Sequence, residues 1–219
     1  MMLTTPPRAR LKALAQGISD GHGFAVPLAA RFAARIQERD WDDFAHDPTQ
    51  LANGLRDLID ALAPDGVPVT IPGLLTGKDL NLAASEHVRV SLEATARLRS
   101  SMGDRVALVA CLPDSGSVVG GADSLITVSK EFLAAGADVI LVLDVSAGTV
   151  PESLTSLGNI ARFHQSLALG CDSRQGLAAV ERIALTAPRK ANGVAVTDIE
   201  IPRNVDLDVL EDWVDAVRG

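Results

Sequence analysis

The stretch RVALVACLPDSGSVVGGADSLITVSKEFLAAGADVILVLDVSAG, residues 105–148, reads as one strand–helix–strand unit. Residues 106–111 form an apolar run too short for a helix and suited to a strand buried on both faces. Pro113, Gly116, Gly120 and Gly121 then break the chain. Leu125, Val128, Phe132 and Leu133 follow at helical spacing, which predicts a helix over 122–135 with Gly136 at its C-cap. Residues 139–143 make a second buried run, ending at Asp144. Two parallel strands joined through a helix form a right-handed crossover. Ligands gather at the carboxyl ends of such strands, so 111–115 and 144–148 share the expected functional edge.

The same alternation extends to both sides. Upstream, 24–27 and 67–72 read as strands. Helices are expected over 8–16, around Leu28, Phe32 and Ile36, and over 51–62. Asp47-Pro48-Thr49-Gln50 is a helix start, with Asp47 as N-cap and Gln50 as its capping-box partner. Ser85 caps a long helix to about residue 101. Downstream, Ser156 opens a helix to 163 and 167–169 is a short strand. Ser173 opens a helix that buries Leu177, Val180, Ile183 and Ala184. Residues 194–199 are a last strand, before a closing helix with Leu210, Trp213, Val214 and Val217 inward. Strands alternating with helices predict an α/β protein with a parallel sheet. The expectation is one domain over 1–219, a TIM (β/α)8-like barrel that is compact or incomplete. Six strands can be named, whereas a full barrel has eight and typically about 250 residues.

Composition narrows the partners. A hydrophobic fraction of 47% is that of a globular chain. A net charge of −8 argues against nucleic acid, and 3% aromatics with no Tyr argues against base-stacking platforms. No apolar run is long enough to span a bilayer, and the two cysteines do not form a secreted disulfide framework. A cytoplasmic protein acting on a small molecule is the expectation.

Several stretches resemble the uroporphyrinogen decarboxylase superfamily of decarboxylases and corrinoid- or coenzyme M-linked methyltransferases. The opening helix near Arg8 is one, and Asp47-Pro48 leading to Asp65-Gly66-Val67-Pro68-Val69 is another. Gly103-Asp104-Arg105-Val106 is a third, and the segment from Ile201-Pro202 to Val217 a fourth. The closest is Ala134-Ala135-Gly136-Ala137-Asp138-Val139 followed by Asp144-Val145-Ser146-Ala147-Gly148. The resemblance implies a barrel and a decarboxylase or methyltransferase activity. The chain also departs from the family. It has no Arg-rich opening loop and no Tyr, and the early catalytic Asp would fall where residues 70–75 read TIPGLL. The methyltransferase branch implies zinc held by a His-x-Cys pair and a distant Cys. Here His164, Cys171 and Cys111 do not match that spacing, so no metal site is assigned and zinc is kept as the alternative cofactor.

Candidate site residues follow from position. Asp144 and Cys111 are the expected catalytic pair, because both end buried strands. Arg203, His22, Asp114 and Ser146 are expected to bind substrate, with Arg203 as a bidentate clamp for a carboxylate. Gly116, Gly120 and Gly121 match neither phosphate-loop pattern and read as a turn. A second expectation is a non-catalytic barrel kept as a subunit or binding module. Exposed edges of an incomplete sheet would then favour a homodimer or a partner subunit.

Overall fold

The computed structural model describes residues 5–77, 80–143, 151–170 and 177–219. Its strands are β1 (Phe24–Val26), β2 (Gly66–Pro68), β3 (Ala107–Leu112), β4 (Val139–Val142), β5 (Leu167–Gly170), β6 (Ala178–Ala179), β7 (Glu181–Ile183) and β8 (Val194–Thr197). All their pairings are parallel. One sheet has the order β2-β3-β4-β5-β6 and the other β1-β8-β7. Val180 alone separates β6 from β7, so a single stave passes from one sheet into the other. The fold is thus a TIM-like α/β barrel with an all-parallel wall. Among the described residues the wall has seven staves, and its ladder is interrupted between β1 and β2.

The β6–β7 stave corrects the sequence reading, which expected a helix there. Leu177 and Ile183 pack into the outer core beneath the helices, whereas Val180 packs into the barrel interior. A strand buried on both faces shows apolar residues three apart as readily as a helix does. The expected cap at Ser156 is also displaced. The helix there starts at Pro151, a favoured first-turn residue, which leaves Ser156 within it.

The helices are α1 (Pro7–Ala15), α2 (Ala30–Ile36), α3 (Trp41–His46), α4 (Pro48–Leu62), α5 (Glu86–Met102), α6 (Gly121–Ala135), α7 (Pro151–Phe163) and α8 (Leu207–Arg218). Asp47 caps α4 through the N–H groups of Thr49 and Gln50. Gln50 does not complete the box, because the Asp47 N–H already donates to Asp43 O at the end of α3. Strand residues alternate between two cores. Val109, Cys111, Leu141, Leu169 and Val196 fill the interior, while Leu108, Ala110, Ile140 and Val142 pack outward. No helix among the described residues is long and apolar enough to cross a membrane.

The amino-terminal end of the barrel is plugged by α1. Leu11 enters the interior core, and Arg8 and Arg10 reach to either side. Arg8 Nε donates to Asp138 Oδ1 at 2.7 Å, and Arg99 also donates to this carboxylate. Asp138 Oδ2 further accepts the Leu108 N–H at 3.0 Å. Gly136 has φ +107, and a Cβ there would lie 2.7 Å from the Arg99 side chain. This glycine is therefore the space through which Arg99 crosses to Asp138.

Asp65 does the equivalent work at the interrupted seam. Its N–H donates to Ala25 O at 3.1 Å, and its Oδ2 accepts the Ala25 N–H at 2.9 Å. Arg10 and Arg218 bind the same carboxylate, at 2.8 and 3.1 Å. A side chain thus replaces the missing ladder partner between β1 and β2. Next to it, a Cβ on Gly66 would sit 3.1 Å from Val26 Cγ2 and 3.3 Å from Phe24 Cε1. With the seam bridged and β6–β7 shared, the edges that argued for a homodimer are not present among the described strands. Asp65→Asn is expected to cost on the order of 3 kcal/mol in urea unfolding, because it removes the buried carboxylate charge that Arg10 and Arg218 share. Asp60→Asn, which removes only the exposed pair with Arg105, should change stability by less than about 1 kcal/mol.

Candidate active site

A cavity of about 280 Å³ opens at the carboxyl ends of β2, β3 and β4. Its walls include Leu75 and Thr76 after β2, Cys111, Pro113 and Asp114 at the end of β3, and Leu143 after β4. This is the edge where parallel barrels bind ligands. Thr70 sets its geometry. The Thr70 hydroxyl donates to Cys111 O at 2.7 Å and accepts the Cys111 N–H at 2.8 Å. One hydroxyl thereby stands in for the backbone ladder beyond β2 and lets the main chain turn outward at Ile71 and Pro72. The outgoing segment returns over β3, where Leu80 forms a parallel bridge with Val118.

His87 on α5 anchors that turn from below. Its Nε2 accepts the Ile71 N–H at 2.8 Å, so the ring proton is on Nδ1, directed at Ala45 O 3.4 Å away. Burial lowers its pKa to about 4, which keeps the ring neutral. At the opposite side of the rim, Glu200 follows β8. Its Oε1 accepts the Arg31 N–H at 3.2 Å, and its Oε2 is enclosed without a hydrogen-bond partner. Burial raises this carboxyl to about pKa 7.

The structure sorts the residues singled out from the sequence. Cys111 and Asp114 meet at the cavity. Cys111 is 0% exposed and forms its floor, and Asp114 is 3% exposed in its wall. Asp144 and Ser146 lie outside the described residues, as does Cys171. His22 and Arg203 are not part of this cavity. His22 precedes β1 at the plugged end, where its Nδ1 is 3.2 Å from Arg218 O. Arg203 is exposed beyond β8 and donates to Arg39 O. His22 belongs to the loop entering a strand, and Arg203 turns outward toward the segment after α2. The candidate zinc set does not converge either. His164 is exposed where the chain enters β5, at the plugged end, whereas Cys111 is at the mouth. Among the described residues no group of three His, Cys, Asp or Glu side chains could hold a metal.

Sequence reasoning missed Arg182. It pairs with Val196 across β7 and β8, and Val196 faces the barrel interior. Neighbouring residues in a ladder point to the same side of a sheet, so Arg182 faces the lumen as well. Its Nη1 donates to Asp198 O at 3.4 Å, beyond the carboxyl end of β8. The period-two alternation of Ala178, Val180 and Arg182 carries this signal, which the helical spacing of Leu177, Val180 and Ile183 obscures.

No family model matches the chain, and no curated protein does. Solved structures do. A methyltransferase from Methanosarcina mazei aligns over 96% of this chain and 98% of its own, with a TM-score of 0.69 at 12% identity. A dihydrodipicolinate synthase from Agrobacterium tumefaciens aligns over 80% and 50%, with a TM-score of 0.45 at 16% identity. CdNal from Clostridium difficile aligns over 89% and 76%, with a TM-score of 0.48 at 8% identity. The first likeness is one of fold alone, and it agrees with the TIM-like α/β barrel described above.

The two buried titrations at the rim act in opposite directions on stability. The His87 pKa lies below its usual 6.5, so the unfolded chain binds the extra proton and stability rises with pH between about 4 and 6.5. The Glu200 pKa lies above its usual 4.5, so the folded chain holds the extra proton and stability falls between about 4.5 and 7. Each effect approaches about 1.4 kcal/mol per pH unit at most. Over pH 5–6.5 they offset. Chemical denaturation across that range should show His87→Gln losing stability as pH rises and Glu200→Gln gaining it. Parallel profiles for the two variants would refute the assignment.

Proposed function

We propose that the protein is an enzyme related to the uroporphyrinogen decarboxylase-like barrels and acts on a small carboxylated molecule at the barrel mouth. What carries this reading is the cavity at the ends of β2–β4, with Asp114 in its wall and Cys111 at its floor. The chemistry is that of a carbon–carbon lyase. The bond to the carboxyl group breaks, carbon dioxide leaves, and the electron pair stays on the substrate carbon. A proton from an acid then completes that carbon. Asp114 is the acid named here, and Asp144, next in the chain to the cavity residue Leu143, is proposed as the second carboxylate.

Methyl transfer is the second reading, and the full-length likeness to the Methanosarcina mazei methyltransferase favours it. The apolar walls from Leu75, Pro113 and Leu143 suit a methyl group or thioether. Association with a second copy or partner subunit is also proposed.

A panel of small aliphatic and aromatic acids, methylated amines and thioethers separates the two chemistries. Isotope-labelled carbon dioxide is measured by mass spectrometry, and methyl transfer to a thiol by NMR. The lyase reading expects carbon dioxide from an acid, and a loss of about 100-fold or more in Asp114→Asn or Asp144→Asn. Methylated thiol without carbon dioxide would select the second reading. No product from any class, with no ligand-induced thermal shift, would overturn both.

A further inference from the structure

We infer that His87 is a positioning residue for the cavity: its unprotonated Nε2 holds residues 71–77 in place as the cavity wall, and proton uptake by the ring releases that wall while the barrel stays folded. The geometry starts where β2 leaves the sheet. The Val69 N–H still donates to Val109 O at 2.8 Å, and Thr70 completes the pairing through Cys111. Beyond it, the Ile71 N–H is accepted by a side chain, His87 Nε2 at 2.8 Å. Pro72, Gly73, Leu75, Thr76 and Gly77, which follow, line the cavity. The bonds among these residues are those of a tight turn. The Leu74 N–H donates to Ile71 O at 3.0 Å, the Leu75 N–H to Pro72 O at 2.9 Å, and the Thr76 hydroxyl to Gly73 O at 3.2 Å. Such bonds move with the turn and do not tie it to the barrel. His87 ties it, together with the Ile71 and Leu75 side chains in the outer core. Gly73 and Gly77 have no described atom within 4 Å of the Cβ position, so the turn is not wedged there.

This anchor is conditional on protonation. Nε2 accepts only while it carries no proton, and a proton there would confront the Ile71 N–H across the same contact. A second acceptor is within reach: the Ser91 hydroxyl, one turn along the same helix, lies 3.3 Å from Nε2. A protonated ring can donate to Ser91 and let Ile71 go. In the closed state the ring is 4% exposed, and burial lowers its pKa from 6.5 to about 4. Once the turn lifts, water reaches the ring and its ordinary proton affinity returns. The open state then binds a proton that the closed state refuses, so acid favours opening from about pH 6.5 down to about 4. The turn residues 71–75 carry no titratable side chain. α3 carries Asp42, Asp43 and His46, all exposed, and α5 itself carries exposed Glu86 and Arg89. Asp47, at the start of α4, is bonded to the Thr49 and Gln50 N–H groups. His46 acts on the ring by charge and opposes its protonation.

The inference rests on the β2–β4 cavity being the substrate site, yet the gate is tested without substrate. Amide exchange at Ile71 and Leu75 is followed by NMR, with the amides of β4 reporting global unfolding. In wild type, protection of Ile71 and Leu75 should fall as pH is lowered from 6.5 to 4, approaching about tenfold per unit and roughly 300-fold in all. His87→Gln keeps an acceptor that does not titrate, so protection should persist and the slope vanish. His87→Leu has no acceptor, and protection should be low at every pH. His46→Asn should leave the slope in place. Low urea should leave exchange at Ile71 and Leu75 unchanged while it speeds exchange in β4. An unchanged slope in His87→Gln, or its loss in His46→Asn, overturns the inference. So does a urea dependence shared with β4, which would make the ring a contributor to global stability only. If His87→Leu does not fold, the wild-type and His87→Gln profiles decide. Cavity access is read in a Cys171→Ala background by labelling Cys111 with methyl methanethiosulfonate. The rate relative to His87→Gln at the same pH should rise with acid in step with exchange. A flat ratio would show that the turn opens without uncovering the cavity, and overturns its role there. No product from the substrate panel, with these profiles as expected, would remove the substrate assignment and leave the gate standing.

Discussion

The barrel depends on a carboxylate that does the work of a strand. Between β1 and β2 the ladder is interrupted, and Asp65 bridges the gap with its own N–H and its Oδ2, both to Ala25. A buried carboxylate in that position is tolerable only when its charge is met. Arg10 and Arg218 meet it, one from the first helix and one from the last. Both ends of the chain are thus tied to the place where the cylinder would otherwise open. Asp138 repeats the arrangement beneath β4, with Arg8 and Arg99 and the N–H of Leu108. The two sites hold α1 across the amino-terminal opening, with Leu11 pressed into the interior. That end is rigid and electrostatically saturated, as expected where a barrel stores its stability.

The other end is built on different terms. Side-chain substitutions for backbone pairing recur, but here they release the chain from the wall. Thr70 completes the β2–β3 ladder with a hydroxyl, and His87 receives the N–H of Ile71 as the chain departs. The space left behind is the cavity containing Cys111 and Asp114. The rim also carries groups that burial has moved toward neutrality, His87 as free base and Glu200 as an acid of pKa about 7. Charge is neutralised in pairs at the bottom, whereas at the top burial suppresses it at His87 and Glu200. This asymmetry separates the plugged, ion-paired end of the molecule from the end that carries the cavity.

The strands most legible in the sequence are the two joined by the central helix. Residues 106–111 and 139–143 stood out because glycines, prolines and an amphipathic helix bound them on each side. The stave at 178–183 did not. Its connections to β5 and β8 contain no described helix, and its apolar residues face two different cores. Leu177, Val180 and Ile183 therefore imitate one helical stripe. Misreading that stave concealed Arg182, since a lumen-facing side chain is visible only once the period is two. Arg203 and His22 lie away from the cavity for a related reason. Proximity to a strand in sequence does not say which end of the barrel a loop occupies, and His22 enters its strand rather than leaving it.

The amino-acid sequence by itself determined the fold class, because buried parallel strands and amphipathic helices are local patterns of hydrophobicity with periods of their own. It also determined the edge on which Cys111 and Asp114 meet, since both leave the same strand at its carboxyl end. Only the tertiary structure decided how the cylinder closes, which arginines are committed to Asp65 and Asp138, and which faces the lumen. Those outcomes depend on pairing between residues far apart in the chain, such as Arg218 with Asp65, 153 positions away. No local pattern encodes such a pairing, because register and side-chain direction across the barrel are set by all the staves together.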